Sequence, residues 1–494
     1  MNASSKSSAH PARDLAFTEL SAAPLDLLVV GGGIVGSGVA RDAAMRGLRV
    51  GLIDQHDFAA GTSSRSSRLL HGGLRYLEQG RVGLVHEASV EKKIIHQIAP
   101  HLAQPLGFIF PSYRGEGRPM WQLRIGVKLY DLLCGGRNFQ PSRGFSRAET
   151  LEMLPALEPE KLKGSVRYYD ALTNDARLVI DTLRSAARHG AIILNYARFH
   201  DAKRSAEDWS CHIEDRVNPR NLHVRARTIV NATGPWADKV PHSAVKLRLS
   251  KGIHIVIERK RLSVPEAVVI TEGKRILFVL PWGERVIIGT TDTDYQGAPE
   301  DVGVDPDDIQ YVLRTVNEFF PRIALGEADI LSSWAGVRPL IANPDGSPSD
   351  ISRAHQIRSP EKGWWDIAGG KLTTYRLMAE QAVDQIVKHL GVSAKPCRTA
   401  TEPLLPAEEV TSFSGILPAP FSREAVEHFV RHEWARRLDD VMLRRSGWHY
   451  QQRWSTPAIE QVAVWMAAVA GWSPAQQRAE FEAFCAAARF APAA

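Results

Sequence analysis

The fold is decided by a stretch near the N-terminus, Leu25-Asp26-Leu27-Leu28-Val29-Val30-Gly31-Gly32-Gly33-Ile34-Val35-Gly36. Its apolar half predicts a buried β-strand, and the residues that follow predict a helix through Arg46, ended by Gly47. A second apolar strand, Val50 to Ile53, then runs into Asp54. This is the β-α-β arrangement in which a Gly-x-Gly-x-x-Gly turn binds a dinucleotide.

The three glycines and the acidic residue of this unit each have a physical role. Gly31 permits the tight turn, Gly33 lets a pyrophosphate approach the backbone, and Gly36 lets the helix pack close to the strand. The positive end of the helix faces the anion, and Asp54 can accept hydrogen bonds from the ribose hydroxyls of an adenosine. The fingerprint alone does not distinguish FAD from NAD.

Length and composition indicate a multidomain globular protein. A chain of 494 residues is expected to form two or three domains, and its 44% apolar and 23% charged residues are typical of globular proteins. No apolar run approaches the roughly 20 residues that a membrane-spanning helix needs. Met1 to Pro24 is rich in Ser and Ala and lacks an apolar segment, so we expect a disordered extension, with a weak organellar transit peptide as the alternative.

Cysteine usage and charge exclude several classes of site. The four cysteines, Cys134, Cys211, Cys397 and Cys485, are scattered, which argues against a zinc site, an iron–sulfur cluster or a disulfide framework and suits a reducing cytoplasm. A net charge of +6 favours anionic partners. The basic residues are dispersed and form no nucleic-acid-reading motif, so no nucleic-acid role is expected.

Three further turns rich in small residues occur along the chain. Gly61 to Arg68 leads into Leu69 to Leu77, which contains His71-Gly72-Gly73, and Asn231 to Trp236 follows a predicted strand. Gly369 to Arg376 again follows a strand and opens a helix. Such turns suit an extended cofactor lined by several passes of the chain; the alternative for the first is a solvated Ser/Arg loop.

Taken together, the motifs resemble those of the FAD-linked glycerol-3-phosphate dehydrogenases, within the D-amino-acid-oxidase-like flavoproteins. The resemblance covers roughly Leu25 to Gly391 and implies FAD as cofactor and the oxidation of sn-glycerol 3-phosphate to dihydroxyacetone phosphate. Six motifs carry it in order: His71–Tyr76 (HGGLRY), Asn231–Trp236 (NATGPW), Lys251–His254 (KGIH), Gly289–Asp292 (GTTD), Gly336–Leu340 (GVRPL) and Gly369–Arg376 (GGKLTTYR).

The expected fold is therefore mixed α/β. A Rossmann-like FAD-binding domain would be combined with an antiparallel substrate sheet and a C-terminal helical cap, which between Thr401 and Arg423 is shorter than the family pattern. The predicted division is a disordered extension over 1–24, the FAD-binding domain over 25–110, 166–246 and 331–395, a substrate- or membrane-facing insertion over 111–165, the antiparallel sheet over 247–330, and the cap over 396–494.

The fingerprint and the resemblance together give the predicted cofactor-binding residues. They are Gly31, Gly33, Gly36, Asp54, Thr62, Ser63, Ser64, His71, Gly72, Gly73, Thr233, Gly234, Gly369, Gly370, Lys371, Leu372 and Thr373.

The substrate phosphate calls for cationic donors, and guanidinium groups bind phosphate in a bidentate manner. Arg338, in the turn-like Gly-Val-Arg-Pro motif, and Arg353, fifteen residues on, are predicted to bind the phosphate and orient the carbinol. By resemblance, Arg75 and Tyr76 belong to the same pocket.

Alcohol oxidation also needs a group that accepts the hydroxyl proton. His254 is the candidate because imidazole titrates near neutral pH; a base supplied by the surroundings of Arg338, or by water, is the alternative. Lys371 is expected against the flavin pyrimidine or the substrate oxygen, which makes His254, Arg338 and Lys371 the predicted catalytic residues.

The segment from Arg118 to Tyr130 suggests where the electrons go. Its basic, apolar and aromatic residues suit a short helix in a membrane interface, and the resemblance implies a membrane quinone as electron acceptor and attachment to the cytoplasmic face of the cell membrane. A partly buried helix with a solvated basic edge is the alternative. A homodimer is compatible with the sequence.

Three rival functions stay open at this point. One is a soluble oxidase of the same fold that uses oxygen. Another is an amine or amino-acid oxidase, which would need a carboxylate-binding arginine and an apolar side-chain pocket. The third is a redox-silent protein that binds FAD structurally or a membrane-surface binding module.

Overall fold

The structure, a computed structural model, describes residues 11–487 except 79, 116, 136–137, 274 and 343–354. Eighteen strands are found in this part of the chain: β1 Leu25–Val30, β2 Val50–Ile53, β3 Leu69–Leu70, β4 Ala103–Tyr113, β5 Arg143–Ser146, β6 Leu162–Thr173, β7 Ile192–Leu194, β8 Ala197–Arg204, β9 Trp209–Asp215, β10 Arg220–Asn231, β11 Leu247–Glu258, β12 Ala267–Glu272, β13 Arg275–Trp282, β14 Arg285–Gly289, β15 Thr293–Tyr295, β16 Ile330–Ile341, β17 Gln356–Arg358 and β18 Trp364–Ala368.

The same residues form twelve α-helices. They are α1 Pro11–Ala22, α2 Ile34–Met45, α3 Arg75–Glu78, α4 Val82–Ile98, α5 Met120–Leu133, α6 Arg147–Met153, α7 Asp175–Arg188, α8 Pro306–Phe319, α9 Tyr375–Leu390, α10 Arg423–His432, α11 Thr456–Ala470 and α12 Pro474–Ala487. This confirms the predicted mixed α/β fold with helices at the C-terminal end.

The first sheet has the strand order β17-β18-β10-β1-β2-β7, and β8 and β9 extend β10 as an antiparallel hairpin. β1 lies parallel to both β2 and β10, so the chain leaves β1 on one side and returns on the other. In such a sheet a crevice opens at the carboxyl ends of the two neighbouring strands, and ligands bind there. Helix α2 packs against α7 and α9 beside this sheet.

The second sheet contains the predicted antiparallel strands. Strand β11 pairs with β14, β15 and β16, in a register that places His254 opposite Trp334 and Ser250 opposite Arg338. Four strands of this sheet, β3, β4, β6 and β16, lie wholly or partly in ranges that the sequence assigned to the FAD-binding domain. Their partners are distant in the chain, so local patterning does not show which sheet these strands join.

The N-terminal prediction is corrected over the part that is described. Within the predicted extension, residues 11–22 form helix α1, and residues 1–10 lie outside the described part of the chain. The helix is held because Phe17 and Leu20 are buried against the first sheet and because the Arg13 guanidinium donates to Asp215 Oδ1 at 2.6 Å. The Ser- and Ala-rich composition of the segment does not predict these contacts.

Buried ion pairs join the C-terminal region to the loop that follows β2 of the first sheet. Asp57 accepts hydrogen bonds from Arg444 and from both terminal nitrogens of Arg445. Although burial opposes ionisation, Arg445 and Arg444 lower the pKa of Asp57 to about 2. Removing one member of such a group leaves an uncompensated buried charge, which is strongly destabilising.

Candidate active site

A cleft of about 890 Å³ opens at the carboxyl ends of β1 and β10, where the strand order reverses. The structure brings most of the predicted cofactor-binding residues into its wall: Gly31, Gly33, Asp54, Thr62, Ser63, Thr233, Gly234, Gly369, Gly370, Lys371 and Leu372.

The turn at the base of the cleft accepts only glycine at its key positions. Gly31 has φ of +110°, and a Cβ there would lie 2.6 Å from the Ala232 carbonyl oxygen; a Cβ on Gly36 would lie 1.9 Å from the Gly31 carbonyl oxygen. The Ile34 N–H, at the start of α2, donates to Ser63 Oγ at 3.0 Å. Bare backbone beside a helix N-terminus is the surface that a pyrophosphate requires, so these residues fit FAD.

Asp54 lies at the end of β2, in the wall of the same cleft. Its carboxylate accepts hydrogen bonds from the backbone N–H groups of Gly32, at 2.7 Å, and His56, at 2.8 Å. Burial nevertheless raises the pKa of Asp54 to about 7. A carboxylate here can accept hydrogen bonds from the ribose hydroxyls, and its ionised form accepts them more strongly than its protonated form.

We therefore predict that FAD affinity depends on pH through Asp54. Between pH 8 and pH 6 the carboxylate becomes protonated and loses acceptor capacity, so the Kd of the apoprotein for FAD should rise by about tenfold. Fluorescence titration of apoprotein with FAD measures it. Asp54→Asn should bind more weakly with a flat pH profile; an unchanged pH dependence in that variant would assign the effect to another group.

A second cavity, of about 390 Å³, adjoins the cleft. Lys371 joins the two: it lines the cleft, while its Nζ lies 3.9 Å from the centroid of the Tyr76 ring, which lines the second cavity. The loop that carries His71 is also held near Lys371, since the backbone N–H of His71 donates to Thr373 Oγ1 at 3.0 Å. A flavin ring extending from the cleft would therefore meet this cavity beside Lys371.

Arg338 projects from β16 into the second cavity. Its Nη2 donates to Thr290 Oγ1 at 3.0 Å, and its Nη1 lies 3.3 Å from Asp292 Oδ1. A Cβ on Gly252 would lie 2.5 Å from Arg338 Nη2, so the glycine leaves space for the guanidinium. Thr290 and Asp292 come from the Gly-Thr-Thr-Asp motif and Gly252 from the Lys-Gly-x-His motif, which explains why these motifs occur together.

His254 lies behind the wall of this cavity. Its side chain is buried, its Nε2 lies 2.8 Å from Ser67 Oγ, and its ring stacks on Trp334 with centroids 4.9 Å apart. Burial, followed by the charges of Arg338 and Arg68, lowers the pKa of His254 to about 3. The imidazole is therefore neutral at physiological pH, and one of its nitrogens can accept a hydrogen bond.

Not every predicted residue lines a cavity. Gly36 packs beneath Gly31, Ser64 and Thr373 are buried beside the lining, and Gly72 donates its N–H to Tyr130 Oη at 2.9 Å. Arg353 lies outside the described residues, as does the Arg75 side chain.

Sequence reasoning missed several polar residues that line the second cavity, among them Ser67 and Asp170. Ser67 belongs to the Ser/Arg loop from which only Thr62, Ser63 and Ser64 were selected, and Asp170 ends the run Val-Arg-Tyr-Tyr-Asp on β6. Asp170 could have been identified as a candidate site residue, because a carboxylate within a mostly apolar strand often has a functional role. No signal in one sequence distinguishes Ser67 from its neighbours.

The second cavity opens beside the outer face of helix α5. That face is apolar and exposed: Trp121, Ile125 and Leu132 are 66%, 60% and 68% exposed. Trp121, Ile125 and Leu129 also line the cavity, together with Arg118. In the described part of the chain, none of the helices is long and apolar enough to span a membrane.

The chain is similar to known flavoproteins over nearly all its length. Residues 26–382 match the family described as FAD dependent oxidoreductase, and residues 415–477 match the C-terminal domain of alpha-glycerophosphate oxidase. Glycerol-3-phosphate dehydrogenase 2 of Mycobacterium tuberculosis is 40% identical over 404 residues, which cover 80% of this chain and 68% of that protein. Aerobic glycerol-3-phosphate dehydrogenase of Staphylococcus aureus is 38% identical over 389 residues, covering 76% and 70% of the two chains.

Solved structures agree with this relationship. The glycerol-3-phosphate dehydrogenase from Bacillus halodurans, complexed with FAD, superposes with a TM-score of 0.76 at 28% identity and covers 96% of each chain. L-alpha-glycerophosphate oxidase from Mycoplasma pneumoniae, with a TM-score of 0.61 and 17% identity, shares the fold. The chain therefore belongs to the FAD-dependent glycerol-3-phosphate dehydrogenases, within the FAD dependent oxidoreductase family.

Proposed function

We propose that this chain oxidises sn-glycerol 3-phosphate to dihydroxyacetone phosphate. One observation carries the substrate assignment: the Arg338 guanidinium projects into a small cavity that meets the FAD cleft at Lys371. A guanidinium can bind a phosphate dianion through two parallel N–H donors. A three-carbon alcohol attached to that phosphate would reach the wall formed by Ser67 and Thr290.

Bound FAD supplies a hydride acceptor, and the protein supplies orientation and charge. Arg338 would hold the phosphate, with Arg75, Tyr76 and Arg353 proposed as its companions from the family motifs. Fixing the phosphate restricts the position of C2, the carbinol carbon next to the phosphate-bearing carbon, which lowers the entropic part of the barrier.

Lys371 and His254 are proposed to complete the chemistry. The Lys371 ammonium lies where the two cavities meet, so its charge favours negative charge on either the cofactor or the substrate oxygen. Neutral His254 is the proposed destination of the hydroxyl proton.

A dye-linked assay tests the substrate assignment. The FAD-loaded protein should reduce an artificial acceptor with sn-glycerol 3-phosphate, and at least about 100-fold more slowly with glycerol or sn-glycerol 1-phosphate, because either change removes or misplaces the phosphate. Equal rates with glycerol would remove the role proposed for Arg338. Activity with amino acids in place of the phosphate ester would favour the amine-oxidase alternative.

We further propose that the electrons pass to a membrane quinone and that α5 seats the protein on the cytoplasmic face of the membrane. The exposed apolar face of α5 lies at the mouth of the catalytic cavity, and this supports the proposal. A lipophilic acceptor could pass from the membrane into the cavity without crossing water. Peroxide formation with oxygen as the only acceptor, at the rate seen with quinone, would favour the oxidase alternative. A homodimer and the predicted division into domains stay predictions.

The α5 proposal predicts the behaviour of Ile125→Asp. A carboxylate on this face should reduce sedimentation with vesicles of mixed anionic and neutral phospholipid by about tenfold or more, since burying a charge in the interface is unfavourable. Val464→Asp is the matched control, because Val464 is an exposed apolar residue on α11, 46% exposed. Equal loss of binding in both variants, or in neither, would contradict the assignment of α5.

A further inference from the structure

Ser67 is the side chain interposed between the catalytic cavity and His254. It lines the cavity together with Thr290 and Arg338, whereas His254 does not line it and is only 2% exposed. The only described hydrogen bond of the His254 ring is the 2.8 Å contact between Nε2 and Ser67 Oγ. A substrate hydroxyl in the cavity can therefore reach Ser67 directly, and His254 through it.

Aromatic rings pack against the Ser67–His254 pair on the side away from the cavity. Trp334 stacks on the imidazole at 4.9 Å, with an interplanar angle of 17°, and its Nε1–H donates to the Ser66 carbonyl oxygen at 3.3 Å. The residue after Ser67, Arg68, is buried, and its guanidinium lies 4.4 Å from the ring centroid of Trp282 and 5.3 Å from that of Trp334.

The C-terminal region closes this aromatic cage. The Tyr450 ring centroid lies 5.3 Å from the Arg68 guanidinium, and its backbone carbonyl accepts a hydrogen bond from Ser332 Oγ on β16. Within the described chain, Nε and Nη1 of Arg68 have no hydrogen-bond partner, and the faces of these aromatic rings stabilise the cation. Ser67 is thus fixed by its neighbour Arg68, and His254 by Trp334, in one packed unit.

We propose that Ser67 is a further catalytic residue, which relays the proton of the substrate hydroxyl to His254. This inference rests on the proposed function. In the step, the substrate O–H bond breaks and its proton moves to Ser67 Oγ while the Ser67 proton moves to His254 Nε2. The C2–H bond would break with its electron pair as the C=O bond forms, and FAD, when bound, would supply the acceptor for this hydride.

The charges around His254 suit a base that acts only when substrate is present. Among the charged groups, Arg338 and Arg68 disfavour the imidazolium, and no carboxylate contributes to its pKa. A dianionic phosphate bound to Arg338 would offset the positive charge of that arginine and add negative charge to the cavity. Substrate binding would therefore raise the pKa of His254. The relay through Ser67 lets this buried ring receive the proton without opening to water.

Two variants of Ser67 test the relay by stopped-flow flavin bleaching, with rates divided by bound flavin. Ser67→Ala should reduce the limiting rate by about 100-fold while the substrate concentration at half-maximal rate changes by less than about threefold. Ser67→Thr keeps a hydroxyl and should recover most of the rate. A packing role predicts the opposite order, because threonine adds a methyl group and alanine only removes the oxygen.

The matched control is Ser332→Ala. It also removes a buried serine hydroxyl next to the cage but leaves the cavity wall intact, and its rate should stay within about threefold of the wild-type rate. If Ser332→Ala and Ser67→Ala slow bleaching equally, or if Ser67→Ala bleaches at the wild-type rate, the relay is wrong.

A double variant separates a relay from two independent effects. If the two residues act in series, His254→Gln combined with Ser67→Ala should be no slower than the slower single variant; multiplied losses would overturn the proposal. Failure of the wild-type protein to bleach would instead remove the proposed function. Wild-type bleaching with no effect of Ser67→Ala removes the relay alone.

Discussion

Gly36→Ala is expected to purify without FAD. The added Cβ would lie 1.9 Å from the Gly31 carbonyl oxygen and 3.3 Å from Val29 Cγ1, so α2 must move away from β1. That movement displaces both the turn and the helix N-terminus that face the pyrophosphate. Overpacking costs about 1–3 kcal/mol and occasionally more, and we expect the upper end here because the clash is with backbone; affinity for FAD should therefore fall by about 100-fold.

The measurement is the flavin-to-protein absorbance ratio after purification, followed by titration of the apoprotein with FAD. Gly83→Ala is the control, since Gly83 lies in the first turn of α4 and a Cβ there meets no atom within 4 Å. This control should retain FAD and be neutral or slightly stabilised. Normal FAD content in Gly36→Ala would show that the turn tolerates the displacement and that the cofactor depends on other contacts.

Arg338→Ala is expected to lower kcat/KM for sn-glycerol 3-phosphate by about 1,000-fold. Losing a charge-assisted, bidentate partner of a phosphate costs about 2–5 kcal/mol, and Asp292, now without its guanidinium 3.3 Å away, would repel the substrate. Arg338→Lys should recover only part of the loss, because an ammonium cannot bind two phosphate oxygens with parallel donors. Steady-state dye reduction at several substrate concentrations measures both variants.

The same variants have two controls. Arg261→Ala removes another arginine ion-paired to an aspartate, Asp329, away from both cavities, and should leave kcat/KM unchanged within about twofold. Glycerol has no phosphate, so its slow oxidation should be the same in wild type and Arg338→Ala. If Arg338→Ala slowed both substrates equally, Arg338 would act on the fold or the cofactor and not on the phosphate.

Local elements were predictable where local patterning determines them. The predicted strands Leu25–Val30 and Val50–Ile53 have the observed bounds, because each is an apolar run that turn residues delimit. Sheet membership was harder: β4, β6 and β16 pair with segments far along the chain. Helix α1 was missed because its stability comes from Arg13 and two apolar anchors, not from its composition.

The site was predictable as a set of motifs but not as a geometry. The glycine turns and Asp54 gather at one cleft because the carboxyl ends of parallel strands share an edge. The sequence identified His254 as the candidate proton acceptor yet could not show that its ring contacts Ser67 and does not line the cavity. That relation depends on Trp334, which β16 brings opposite His254 from eighty residues away in the chain.

The most direct test of the central claim is an anaerobic single turnover. Purified, FAD-loaded protein is mixed with sn-glycerol 3-phosphate while the oxidised-flavin band at about 450 nm is recorded. We expect rapid bleaching and one dihydroxyacetone phosphate formed per flavin, with bleaching at least about 100-fold slower for glycerol and for the opposite enantiomer. A yellow, FAD-loaded protein that stays unbleached with sn-glycerol 3-phosphate would contradict the proposed function.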